Sequence, residues 1–388
     1  MSRSKKSQWV KGRAVYSLML LFAVLYLAGC EKISEPDKHS QSGPDSLDGK
    51  SSPSLGNSEG KPVPIADIDG IFSHVSGWLN DDEIVYITND QDGGSSVILY
   101  ELFTGKSITL WKTPNPVISA EISPDSNRIL VHSAPSSYEA LITIIDVSGG
   151  VLFEQSVPSF ELTAEWNQTD TDRLLITAFK EDWTYNVYDL NLSDSEMKEL
   201  SGFPPFAVWP SAEKLYYLDW EIDETGPSLE APLKERSLSE GREKTLMDAA
   251  HFLGASKSTL FAVQTNQDAG TAVYHFFKDG ADTVQKLEVP QLSSFSGWIV
   301  PEYEWLEEGE EFLHFQPLEN GEADLYSKGF NLVKYSILTG KQEVLIEGID
   351  NAPVACSPDG EKCLYGFQFE TLIDLETGAT IELAGEEL

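Results

Sequence analysis

Cysteine is scarce in this chain: three occur in 388 residues, at positions 30, 356 and 363. Three sulfurs build neither a disulfide scaffold nor a four-ligand zinc centre. Histidine is scarce too, with His39, His74, His132, His251, His275 and His314 never two or four residues apart, and no His-Glu-x-x-His or other metal motif exists. Basic residues number 27 against 63 acids, giving a formal charge of −36. Such a surface repels a phosphate backbone, so nucleic-acid binding is excluded as a main role, and an anionic lipid surface is disfavoured. Also missing are a Gly-x-Ser-x-Gly elbow, a P-loop and a Gly-x-Gly-x-x-Gly turn opening a helix. No segment longer than about ten residues keeps a helical period, which removes helical solenoids and bundles. Nothing in the sequence implies a cofactor or a resident metal.

What is present begins with an address. Arg3, Lys5, Lys6, Lys11 and Arg13 precede an apolar run from Ala14 to Tyr26, and Leu27-Ala28-Gly29-Cys30 follows. This is a positive n-region, an h-region and a small-residue cleavage site. The run falls short of the roughly 20 apolar residues of a spanning helix. Residues 1–29 therefore read as a signal peptide whose removal makes the remainder still more acidic. Residues 30–61 are rich in Ser, Gly, Pro and charge. They have little to bury and read as a disordered tether spanning about 30 Å. Residues 62–388 are the folded domain.

That domain repeats. An apolar residue followed by a polar turn and a β-rich run recurs at Trp78, Ile122, Trp166, Trp209, Leu253, Trp305 and Cys356, at intervals of 44, 44, 43, 44, 52 and 51 residues. A second marker keeps step, a strand end such as Thr104-Gly105, Ser148-Gly149, Thr339-Gly340 or Thr377-Gly378. Two short hairpins per roughly 40-residue unit predict an all-β fold, a β-propeller of four-stranded antiparallel blades. The count is seven, with units starting near residues 72, 118, 161, 204, 249, 297 and 351; six blades and a divergent hairpin is the alternative. The marker tryptophans suit the wedge between blades, where large rings fill space.

Ser123-Pro124-Asp125 and Ser357-Pro358-Asp359-Gly360, each leading into an apolar strand, resemble the blades of TolB-like propellers. The Leu-Ala-Gly-Cys30 sequence resembles the lipobox of bacterial lipoproteins, which implies a diacylglyceryl group on Cys30. Leader, tether and propeller together resemble the YqgU-like propeller lipoproteins of spore-forming Gram-positive bacteria. That resemblance implies six blades, a lipid-anchored location on the extracytoplasmic face of the cell membrane, and no assigned catalysis.

Function is expected in loops on a rigid scaffold. In a propeller the second-to-third-strand loops and the blade-to-blade connections share one end. That end should carry Trp183, Tyr185, Trp220, Glu221, Asp223, Glu224, Glu319, Asp324 and Tyr326, with Asp90, Asp92, Tyr138, Asp182 and Glu322 nearby. Aromatics among carboxylates suit an envelope protein, a basic peptide or a glycan. The leading reading is thus a non-catalytic binding or scaffold module. The alternative is a lyase or glycan-active hydrolase using carboxylates at the central channel, and the acidic run from Glu302 to Glu311 is expected to be a solvated turn. Fragments such as Asn89-Asp-Gln-Asp-Gly-Gly read as hairpin turns before calcium loops. Cys356 and Cys363 flank a tight turn; they are either a cross-strand disulfide or two small core thiols.

Overall fold

The computed structural model describes residues 60–384 except 67, 221–227, 258, 279–282, 296 and 307–309. The leader, Cys30 and nearly all of the expected tether lie outside these residues, as do Glu221, Asp223 and Glu224. Among the described residues there are seven four-stranded antiparallel sheets and one small three-stranded sheet, and no α-helix. The blades run over 71–113, 117–158, 161–199, 208–250, 252–290, 303–349 and 354–382. Seven apolar clusters join them, each drawing on two consecutive blades, and one joins the seventh to the first through Leu364 and Leu372 against Tyr86 and Ile98. Seven blades in a closed ring answer the repeat count; the six-blade alternative does not fit.

Burial explains the strand sequences. Second and third strands are covered on both faces by neighbouring blades, so Glu83–Asn89 and Ser95–Glu101 are buried almost without alternation. Fourth strands lie at the rim, and Lys106–Thr113 and Val151–Pro158 are largely exposed. First strands are innermost and line the central channel. The marker rings fill the wedges. Trp209 is 0% exposed with the Arg173 guanidinium 4.7 Å from its ring centre, and Trp78 donates its indole N–H to Ala355 O at 2.8 Å across the closure.

Among the described residues each four-stranded sheet is built from one continuous stretch of chain, and no exchanged strand closes the ring. The segment before the first blade does that work. Val63 N–H donates to Leu102 O and Ile65 N–H to Leu383 O, both at 2.7 Å, while Tyr100 donates to the carbonyls of Val63 and Pro64. Ile65, 2% exposed, sits in the cluster shared by blades seven and one.

Turns follow their chemistry. In both Ser-Pro-Asp turns the buried serine hydroxyl donates to the aspartate at 2.6 Å and accepts a backbone N–H from the returning strand. Cys356 and Cys363 are register partners across the second of these turns, and their sulfurs are bonded. One boundary differs from expectation. The sixth blade starts at Tyr303, not near 297, because Leu292–Ser294 and Gly297–Ile299 form a separate hairpin paired with Gly321–Glu322.

Candidate functional site

The strand order sets two ends. Second-to-third-strand loops and blade-to-blade connections emerge together at the loop end, and the tight first-to-second and third-to-fourth turns at the other. At the loop end of blades two to four, aromatic rings form a continuous ridge. Tyr138 lies 6.3 Å from Phe160, Phe160 lies 6.5 Å from Trp183, and Phe179 lies 6.2, 5.9 and 5.3 Å from Trp183, Tyr185 and Phe206. Phe179 is buried and anchors the rest. The outer rings stay open: Tyr138 is 60% exposed, Phe160 48%, Tyr185 40% and Phe206 53%.

The ridge is positioned by backbone, not by chance contact. Phe160 N–H donates to Phe179 O at 2.7 Å and Ser159 N–H to Tyr138 O at 3.1 Å, tying the connection between blades two and three to the loops on both sides. Trp183 and Phe206 adopt φ of 61° and 58°, the left-handed region where a bulky side chain costs roughly 1–2 kcal/mol. Glycine or asparagine would occupy those positions more cheaply. Acidic groups surround the rings, with Glu161, Glu181 and Asp182 exposed. Thr184 donates to Asp182 from its hydroxyl and its backbone N–H, which holds the Asp182 carboxyl below the usual range.

Of the residues expected at this end, Trp183 and Tyr185 belong to the ridge, and Trp220 is exposed on the neighbouring loop of blade four. Glu319 and Asp324 lie on the exposed loop of blade six, apart from these rings, and Glu319 pairs with Lys328 at 2.7 Å. Tyr326 lies on the same loop. Its hydroxyl accepts Leu318 N–H at 2.7 Å and donates to Gly329 O at 2.8 Å, so it closes its own loop. Phe160 and Phe206 were not among the expected residues, although both sit in blade-to-blade connections, which the strand order places at this same end.

A second group lies on the innermost strands. Burial pushes the carboxyls of Glu121 up to about 7, Glu165 to about 8 and Glu304 to about 7. The charge of Glu121 adds to the upward push on Glu165, while Trp209 N–H donates to Glu165 at 3.4 Å and opposes it. Tyr303 is raised by burial, then by Glu304 and Glu165, which places blades three and six within electrostatic reach across the channel. Glu304 therefore corrects the solvated-turn reading of its acidic run. A sequence signal for this set existed: each glutamate immediately precedes a repeat marker, as Glu121-Ile122, Glu165-Trp166 and Glu304-Trp305. The other repeats carry Gly77, Val208, Phe252 and Ala355 there. Among the described residues no group of three or more His, Cys, Asp or Glu is arranged to hold a metal ion.

A closed ring of seven four-stranded antiparallel sheets defines a β-propeller. The chain belongs to the YqgU-like 6-bladed beta propeller domain family, whose model matches residues 101–366. The match holds five complete blades and parts of the first and last, so among the described residues this chain has one more blade than the family description counts. It is 25% identical over 372 residues to the uncharacterized lipoprotein YqgU of Bacillus subtilis strain 168, covering 96% of this chain and 97% of that one. Among solved structures, the uncharacterized protein lmo1340 from Listeria monocytogenes EGD-e matches with a TM-score of 0.76 and 20% identity over 84% of this chain and 98% of that one. The β-propeller domain of the Trilobed protease from Pyrococcus furiosus matches at 0.54 and 13% identity over 81% and 98%. The two structural likenesses show the fold.

Proposed function

We propose that this protein is a lipid-anchored extracytoplasmic binding module whose aromatic ridge docks an envelope protein. The ridge itself carries the proposal: Tyr138, Phe160, Trp183, Tyr185 and Phe206 make a multi-blade apolar surface, two of them in a costly backbone conformation. Aromatic centres within a polar rim are the composition of protein interfaces. The acidic rim and the charge of −36 favour a partner with a basic border around an apolar patch. Anchoring rests on the Leu-Ala-Gly-Cys30 sequence and on the lipoprotein name of the Bacillus subtilis relative. The polar segment 31–61 then serves as the tether that lets the ridge reach its partner. Labelling with a fatty-acid probe should mark the parent and not Cys30→Ala; equal labelling removes the anchor. For the ridge, the purified protein should retain a stoichiometric envelope protein that Phe160→Ser/Tyr185→Ser/Phe206→Ser loses. Equal retention by parent and variant overturns the docking face.

The channel glutamates favour a second reading, a glycan-active hydrolase or lyase, because carboxyls held near neutrality at physiological pH suit general acid and base roles. Release of reducing or unsaturated ends from envelope polysaccharide, lost in Glu165→Gln, would select this reading over pure binding.

A further inference from the structure

The junction between blades five and six is built unlike the others. Strand Leu292–Ser294 pairs antiparallel with Gly297–Ile299 and parallel with Gly321–Glu322, the one parallel pairing among the described strands. This extra sheet stands beside the second-to-third-strand loop of blade five, and a cavity of about 370 Å³ opens between them. That volume lies within the range of small-ligand sites and suits a mono- or disaccharide.

The lining is specific in chemistry. Trp298 supplies an indole, Gln267, Gln291 and Asn320 supply carboxamides, Ser293 a hydroxyl and Glu322 the sole carboxylate. Among the described residues no cation lines the cavity, so phosphate or carboxylate ligands find no counter-charge there. A carboxamide donates and accepts in one plane, which matches adjacent hydroxyls on a sugar ring. An indole face covers the apolar C–H face of the same ring.

The walls are fixed in advance. The Gln291 side-chain amide donates to Leu292 O at 2.6 Å and Ile299 O at 3.0 Å, and its carbonyl accepts from the Thr265 hydroxyl at 3.3 Å. Thr265 N–H donates to Glu230 at 3.2 Å, and Gly321 N–H to Gln291 O at 3.2 Å. At Gly270, with φ of 66°, a Cβ would collide with the Asn320 side chain, so glycine there lets that amide close against the loop. His251 backs the indole with ring centres 5.2 Å apart, and its buried Nε2 has no protein partner. Burial holds this imidazole down to about 4, so it stays neutral and adds no positive charge.

We propose that this cavity is a carbohydrate-binding site for an uncharged pyranose unit, stacked on Trp298 and hydrogen-bonded by Gln267 and Asn320, with Gln291 fixing the wall. It shares the loop end with the aromatic ridge but stands on different blades, so the two sites can fail independently. Because the site is small and pre-organised, a single sugar unit should bind with a dissociation constant on the order of 1 mM or tighter.

Saturation-transfer NMR and tryptophan fluorescence on the purified full chain in detergent test this, with maltotetraose and chitotetraose as probes. Binding of either supports the site, and the preferred probe says whether a plain hexose or an N-acetylhexosamine is read. Trp298→Ala should weaken that binding at least about tenfold. Gln267→Ala/Asn320→Ala, at two exposed positions that leave the core intact, should do the same, while Tyr185→Ser/Phe206→Ser leaves it unchanged. Absence of binding by both probes at ten times the expected constant overturns the proposal, as does binding that survives Trp298→Ala and the double variant.

Discussion

Glu165→Gln should stabilise the propeller, and by more at pH 8 than at pH 5. In the unfolded chain this carboxyl titrates near 4.5, whereas burial on the inner strand of blade three, with Glu121 close by, pushes it up to about 8 in the fold. Between those values the native state keeps a proton that the unfolded state has released, so stability falls as pH rises through the window. Below 4.5 both states are protonated and the effect vanishes. At pH 7 the full cost is about 3 kcal/mol, and the effective dielectric of real protein interiors leaves roughly half of it. Glutamine keeps the shape and an oxygen for Trp209 N–H while titrating nothing. Thermal unfolding of parent and variant should therefore diverge above pH 5, with the variant roughly 2–4 °C higher by pH 8. Some decline should remain in the variant, because Glu121 and Glu304 are also raised, each to about 7. Parallel curves, or a variant less stable at pH 8, would refute the buried-carboxyl argument.

Three further outcomes are expected. Ile65→Asp puts a charge into the cluster that closes blade seven on blade one; it should lower stability by about 3 kcal/mol or more, seen as a lower urea midpoint, and an unchanged midpoint would mean the ring closes without this segment. Alkylation of the non-reduced protein should find neither Cys356 nor Cys363 free, and Cys356→Ala/Cys363→Ala should cost about 2 kcal/mol, small because the bridge closes only a short loop. His314, 2% exposed with neither ring nitrogen bonded, is held down to about 3, so acidification below its unfolded value of 6.5 favours unfolding. Relative to the parent, His314→Leu should gain up to about 2 kcal/mol between pH 8 and pH 5, and the same gap at both values would contradict that.

The ring was legible because a wedge-filling residue must recur wherever an inner strand meets its neighbour. Trp78, Trp166 and Trp209 are that residue, and all three are buried. The sixth start was misplaced because the short strands Leu292–Ser294 and Gly297–Ile299 obey the same alternation while belonging to an inserted sheet. At the loop end Trp183 and Tyr185 were legible from strand spacing alone. Phe160 and Phe206 were not: topology puts their connections at this end, but only the packed structure shows their rings meeting Trp183 and Phe179. Tyr326 shows the opposite limit, an aromatic of suitable placement whose hydroxyl is consumed by its own loop. Glu304 looked solvated because its neighbours in sequence are acidic; what decides its state is the channel it faces, and the sign of that is its place immediately before the marker Trp305, not the acidic run. The polar pocket around Trp298 assembles residues from three loops and left no contiguous motif.

The central claim is that the aromatic loop end, and not the tight-turn end, meets a partner in the envelope. A photo-activatable amino acid placed at Tyr185 or Phe206, and as controls at Val147 or Leu338 among the tight turns, tests it in intact cells. Irradiation should give a discrete adduct of the same added mass from both ridge positions and none from the controls. Adducts from all four positions alike, or from the tight-turn end alone, would contradict the account.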